Sequence, residues 1–231
     1  MSDGFTPDPK SHQTEARNAK RDPETLVCFA LKEEARPFRN LCADIPDIGI
    51  LVTGIGRRNA DRSIRDYLKE HTPQRVFTCG FAGGLNPELK IGDVLFATTD
   101  DPLRLKLEGL GVPPGKFHCA PNVAVTAAEK FKLHRMTGAD AVEMESEVVQ
   151  AVCREHGVPC ATVRSISDVA NEDLPLNFNE LMTDDRAISV PKLTLALLKG
   201  PWQVPRLMRL QRNTRRAARR LAVVLVKLVA V

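Results

Sequence analysis

The chain has 231 residues, 43% hydrophobic and 27% charged, a globular make-up that excludes wholesale disorder and leaves room for a sizeable core. Aromatic residues are only 5%, which argues against the rows of stacking rings used by single-strand nucleic-acid binders. The net charge of +4 hides an asymmetry: all 29 acids lie at or before Asp185, and residues 186–231 hold 11 lysines and arginines with no acid, so an acidic body precedes a strongly basic tail.

Residues 1–23 are polar, with Pro7, Pro9 and Pro23, and read as a mobile arm. Thr25–Leu31 is a β-prone run, and Glu33–Leu41 has helical spacing, weakened by Pro37. Ile48–Thr53 is a second strand ending in Gly54-Ile55-Gly56, and Asn59–His71 is a helix. Arg75–Cys79 is a third strand, followed by a glycine turn over Gly80–Gly84. Gly92–Thr98 reads as a strand, 99–121 as irregular, Asn122–Thr126 as a brief strand and Ala127–Met136 as a helix. Glu145–His156 is a helix closed by Gly157, and Pro159–Ile166 is a strand that ends on Ser167-Asp168. A polar loop over 170–185 and further helical patterns follow. Near-continuous apolar strands alternating with helices predict a single α/β domain over 24–200 with a largely buried sheet. Residues 201–231 predict a separate basic amphipathic helix.

In such folds ligands gather beyond the carboxyl ends of strands. Four segments lie there: Lys32-Glu33-Glu34, the Gly54–Gly56 turn, the Gly80–Gly84 turn and Ser167-Asp168. Glu143 and Glu145 sit where a strand meets a helix; they serve either as first-turn acids that suit the helix dipole or as acceptors for vicinal hydroxyls. Asp168 is either a turn residue or a general acid in a dry site. The glycine turn is either a tight bend or a backbone cradle; it lacks the Lys-Ser/Thr of a P-loop.

Taken together, these pieces resemble the purine nucleoside phosphorylase/nucleosidase superfamily, in particular its adenosylhomocysteine/methylthioadenosine nucleosidases. ALKEEARPF (Ala30–Phe38), TGIGRRNA (Thr53–Ala60), CGFAGGLNPELKIGDVL (Cys79–Leu95) and AVEMESEVVQAVCREHGVPCATVRSISDVA (Ala141–Ala170) carry the resemblance. It implies a central mixed, mostly parallel sheet flanked by helices, and cleavage of the N-glycosidic bond of a purine nucleoside, with adenine the expected base. It implies Asp168 as the acid that protonates the leaving purine and Glu34 as the base that activates water. It implies Glu145 as the ribose-hydroxyl acceptor with Met144 packed on the sugar, Glu143 beside them, and Ser167 positioning Asp168. Gly80 and Phe81 are implied at the sugar face and Thr126 beside the purine. Phe81 replaces a small serine of the family pattern, and Thr126–Lys130 departs from its purine loop. The stretch 174–220, with its Pro-x-x-Pro-Arg-Leu segment and Arg/Ala-rich close, is similar to the hopanoid-associated phosphorylase branch, which implies an adenosyl-lipid substrate.

Hydrolysis is the expected chemistry, with phosphate as co-substrate in the phosphorolytic alternative, where Arg57 and Arg58 supply charge. A non-catalytic nucleoside binder on the same fold is the alternative of a different class. The six cysteines form no C-x-x-C pair and the five histidines are scattered, so no metal or other cofactor is expected. The opening MSDGFTPDPK has no apolar core of a secretory signal, so the expectation is a cytoplasmic protein. On a helical wheel the tail sets Leu207, Leu210, Ala217, Leu221, Val224, Leu225 and Leu228 against seven arginines. That leaves three partners open: peripheral contact with the inner face of a membrane through 206–228, packing on the body or within a homo-oligomer, and, least favoured, nucleic acid.

Overall fold

The computed structural model describes residues 22–230; the expected arm, 1–23, lies outside them except for Asp22 and Pro23. In chain order the elements are β1 (Thr25–Phe29), α1 (Lys32–Leu41), β2 (Ile48–Val52), α2 (Arg57–Glu70), β3 (Arg75–Gly84), β4 (Val94–Thr98), α3 (Asp101–Gly109) and β5 (Phe117–Cys119). They continue with α4 (Ala127–Thr137), β6 (Ala141–Glu143), α5 (Ser146–Glu155), β7 (Cys160–Asp168), α6 (Phe178–Leu181), α7 (Val190–Lys199) and α8 (Val204–Val229).

All seven strands join one mixed sheet, as the family resemblance implies. β1 lies between β2 and β3, parallel to both, and β3 is parallel to β7. β4 runs antiparallel to β7, β6 antiparallel to the end of β3, and β5 parallel to β6. β1 shows why its run is apolar on both sides. Its side chains alternate: Leu26 and Cys28 pack with Ala60, Ile64 and Leu68 of α2 and Val149 of α5, whereas Val27 and Phe29 pack with Phe38 of α1 and Leu221 and Leu225 of α8. A strand covered on both faces needs no polar side.

Several boundaries differ from expectation. Gly80–Gly84 is not a turn but the second half of β3, paired with β7 on one edge and β6 on the other. Residues 99–121 are not irregular: Asp100 caps α3 by accepting from the Leu103 N–H at 2.9 Å, and Leu103 and Leu107, four apart, are both buried. The strand expected over Asn122–Thr126 forms earlier, as β5, while Thr126 becomes the N-cap of α4 in a reciprocal capping box with Glu129. α1 keeps Pro37 in its interior because Ala35 and Phe38 are buried in the core around it.

The tail is part of the core. Ala217, Ala218, Leu221, Ala222, Leu225 and Leu228 of α8 are buried, several of them against Val27, Phe29 and Phe77 of the sheet. The apolar stripe that the wheel offered to a membrane over 206–228 is therefore occupied from Ala217 onward by the protein itself.

Candidate active site

The carboxyl ends of β1, β3, β6 and β7 surround a cavity of about 190 Å³. Glu34, Phe81, Met144, Glu145, Ser167 and Asp168 are among the residues lining it. The three acids that lie far apart in sequence thus face one space. A wider opening of about 830 Å³ borders β5 between Arg57, Lys116 and Gln150. Its acids are already engaged, Glu147 with Arg57 at 2.8 Å and Asp140 with the Lys116 N–H at 2.9 Å.

Glu34 stands in the first turn of α1, directly after β1. Its carboxylate accepts the Leu31 N–H at 2.9 Å and the Phe81 N–H at 2.8 Å, so α1 and β3 hold it jointly. Burial pushes its pKa up to about 7, partly offset by the nearby Arg164 guanidinium and these N–H donors. Gly80 does not line the cavity but makes this approach possible. A Cβ there would lie 2.6 Å from Arg164 Nη1 and 2.7 Å from Glu34 Oε1, and its φ of +149° is one that side chains rarely adopt.

Glu143 and Glu145 line the cavity and form a buried cluster with Arg164, which stands behind it. The Glu143 carboxylate accepts from the Glu145 and Ser146 N–H groups, from Ser146 Oγ and from Arg164 Nη2 at 2.6 Å. Burial alone would raise Glu143, but Arg164 and these donors outweigh it and hold the group below the usual carboxylate range. Glu143, expected at the substrate, is among the residues lining the cavity, and its carboxylate also starts α5 and neutralises Arg164. Glu145 lines the cavity as well. Its Oε1 accepts the Gly56 N–H at 2.7 Å, and Arg164 lies 3.5 Å from Oε2. Burial raises its pKa, and Arg164 only partly offsets this.

Asp168 ends β7. Ser167 Oγ donates to its Oδ1 at 2.7 Å, and Lys130 Nζ lies 2.6 Å from its Oδ2. Lys130, wholly buried, also donates to the carbonyls of Val169 and Glu172 at 2.8 and 3.0 Å. Thr126 is not among the residues lining the cavity, because its hydroxyl is committed to capping α4; Asn122, Val123 and Ala124 stand in the wall instead.

The sequence reading missed Arg164 and Lys130. Arg164 had a legible signal, a charge in the middle of an apolar strand, which requires buried acids nearby. Lys130 had none: on α4 the apolar Phe131 and Met136 face solvent and the lysine faces inward. Among the described residues no group of three or more His, Cys, Asp or Glu is arranged to hold a metal ion.

A family model described as the phosphorylase superfamily matches residues 44–102 and 103–199. The chain belongs to the phosphorylase superfamily. Among its relatives is a 5′-methylthioadenosine/S-adenosylhomocysteine nucleosidase of Marinomonas sp. (strain MWYL1), 29% identical over 171 residues, 59% of this chain and 74% of the relative. Another is an aminodeoxyfutalosine nucleosidase of Campylobacter jejuni, 28% identical over 168 residues, 58% of this chain and 73% of the relative. Of solved structures, the native futalosine hydrolase of Helicobacter pylori superposes with a TM-score of 0.70 at 19% identity, covering 90% of this chain and 98% of that one. At that identity the likeness bears on fold alone, and it agrees with the single α/β domain described here.

Proposed function

We propose that this superfamily member is an N-ribosyl hydrolase that releases adenine from an adenine nucleoside. The observation that carries the reading is the meeting of Glu34, Glu145 and Asp168 at one cavity whose lining, among the described residues, includes no lysine, arginine or histidine. Two carboxyl groups divide the work of breaking a glycosidic bond, one as acid and one as base. Asp168 donates a proton to purine N7, and Lys130 Nζ, 2.6 Å behind it, stabilises the carboxylate that this leaves. Glu34 accepts a proton from the attacking water, whose oxygen bonds to C1′ as the C1′–N9 bond breaks. Glu145 accepts hydrogen bonds from the ribose hydroxyls and places negative charge beside the developing oxocarbenium ion. Met144 and Phe81 pack on the sugar. Bulk water returns a proton to Asp168 and takes one from Glu34 after the products leave.

Hydrolysis is favoured over phosphorolysis by charge. Arg57 pairs with Glu147 outside this cavity, and Arg164 is enclosed by Glu143 and Glu145, so a phosphate beside Glu34 would meet acids and no available cation. The relatives named as nucleosidases support the same chemistry. The apolar wall of Val123, Leu174 and Met182 suits an apolar 5′ substituent, whether a methylthio group or the lipid of an adenosyl-lipid.

Free-base release from methylthioadenosine, adenosylhomocysteine, adenosine, inosine and a lipid-adenosyl analogue tests the reading, each with and without phosphate. Adenine release independent of phosphate is expected. Tight binding of these nucleosides with no release of base from any would replace the enzyme with a nucleoside-binding protein.

A further inference from the structure

Away from the cavity, exposed apolar side chains concentrate between residues 188 and 208. Val190, Leu195, Leu198, Trp202, Val204 and Met208 are all exposed, Leu198 by 75% and Trp202 by 71%. α7 has the sequence VPKLTLALLK, yet none of its residues is buried. A helix this apolar with no covered face is unusual in a soluble monomer and marks a contact surface. Lys192, Lys199, Arg206, Arg209 and Arg212 are interleaved with the apolar residues, and the chain holds no acid from residue 186 onward.

We propose that α7, the 3₁₀ turn Pro201–Gln203 and the first turns of α8 dock on the surface of an anionic lipid bilayer. Leucines and valines suit the acyl boundary, tryptophan the interface, and lysines and arginines the anionic headgroups. Charge decides against a second copy of the same face, since a two-fold contact would set one basic surface against another. The mode is peripheral, because among the described residues no helix is long and apolar enough to cross a membrane. The surface differs from the one read off the helical wheel: beyond Ala217 the apolar side of α8 belongs to the core, and α7 with Trp202 takes its place. Docking also brings the cavity near the headgroups. Lys192 Nζ donates to the carbonyl of Met182 at 3.1 Å, and Met182 lines the cavity. The inference goes beyond the proposed chemistry and does not depend on it.

Trp202 is the only tryptophan in the chain, so its emission reports on this surface alone. The full chain is mixed with vesicles of phosphatidylcholine, or of phosphatidylcholine with phosphatidylglycerol, and pelleting and emission are read together. Pelleting and a shift of emission to shorter wavelength are expected with the anionic vesicles only. K199Q and R212Q should each weaken binding about fivefold, and L198E, at a solvent-facing position, should abolish it. Equal pelleting on both vesicles, or an undiminished L198E, overturns the proposal. So does a mass that doubles with concentration without vesicle binding, which would assign the surface to a second copy. Adenine release from the same nucleoside panel, measured on the same samples, separates the two readings: release without pelleting removes the docking surface alone, and pelleting with no release from any member removes the chemistry alone.

Discussion

Lys130 Nζ lies 2.6 Å from Asp168 Oδ2, and the lysine side chain is completely shielded from solvent. No other cation contacts this aspartate among the ion pairs of the described residues. The pair places a fixed positive charge immediately behind the group expected to protonate the purine, where it stabilises the carboxylate left after the transfer. D168N should lower turnover roughly 10²-fold or more, the scale of a lost general acid, while the fold persists. K130M should lower turnover as well and also destabilise the protein by about 3 kcal/mol, since it leaves a largely buried carboxylate and two carbonyls without their partner. Single-turnover base release and urea denaturation of the two variants check both effects. A fully active D168N protein would remove Asp168 from the chemistry.

Glu34 predicts a pH profile. Its carboxyl is held up to about 7 by burial, and water activation needs the ionised form. Rate should therefore rise with pH through about 7, well above the range of an ordinary glutamate. Stability runs in the opposite direction. The folded state binds this proton more tightly than the unfolded chain does, so the contribution is fully present below the ordinary value of 4.5 and is lost as pH rises through about 7. E34Q should abolish the rising limb of the rate profile. It should also narrow the difference between urea midpoints measured below pH ~5 and above pH ~8. An E34Q enzyme with an unchanged rate profile would assign the base elsewhere.

Arg164 neutralises buried acids from two directions, 2.6 Å from Glu143 and 3.5 Å from Glu145. R164M leaves these carboxylates together without a cation and should cost about 3–5 kcal/mol of stability. R164M/E143Q should recover part of that loss, because the amide removes one charge and still offers an acceptor to the start of α5. Chemical denaturation of E143Q, R164M and the double variant tests this; a loss in the double variant equal to the sum of the two single losses would show that the side chains are not coupled.

Gly80 and Gly111 separate steric from backbone effects. Both have positive φ, +149° and +74°, but a Cβ at Gly80 would strike Arg164 and Glu34, whereas nothing lies within 4 Å of one at Gly111. G111A should meet backbone strain alone, of order 1 kcal/mol. G80A should cost more and reduce base release with it. Melting temperatures and initial rates of the two variants decide the matter, and equal effects would refute the steric role of Gly80.

The strands and helices that carry Glu34, Glu145 and Asp168 were legible because each pairs a buried apolar run with a polar strand end, a local pattern. The Gly80–Gly84 segment was misread because glycine signals a turn when nothing else is known. Its extended form depends on β6 and β7 lying on either side, and those partners are 57 or more residues away in sequence. Thr126 was misplaced for a related reason: a hydroxyl that caps a helix and one that faces a ligand look alike until the helix start is fixed.

The sequence by itself determined the α/β class, the family motifs and the separation of an acidic body from a basic tail, since these depend on periodicity, composition and residue order. Only the tertiary structure decided that Glu143 is bound up with Arg164, that Lys130 stands behind Asp168, and that half of the tail helix is core while α7 is left uncovered. Those outcomes depend on which charges and apolar faces meet across the sheet, and packing between distant segments settles them after the local pattern has run out.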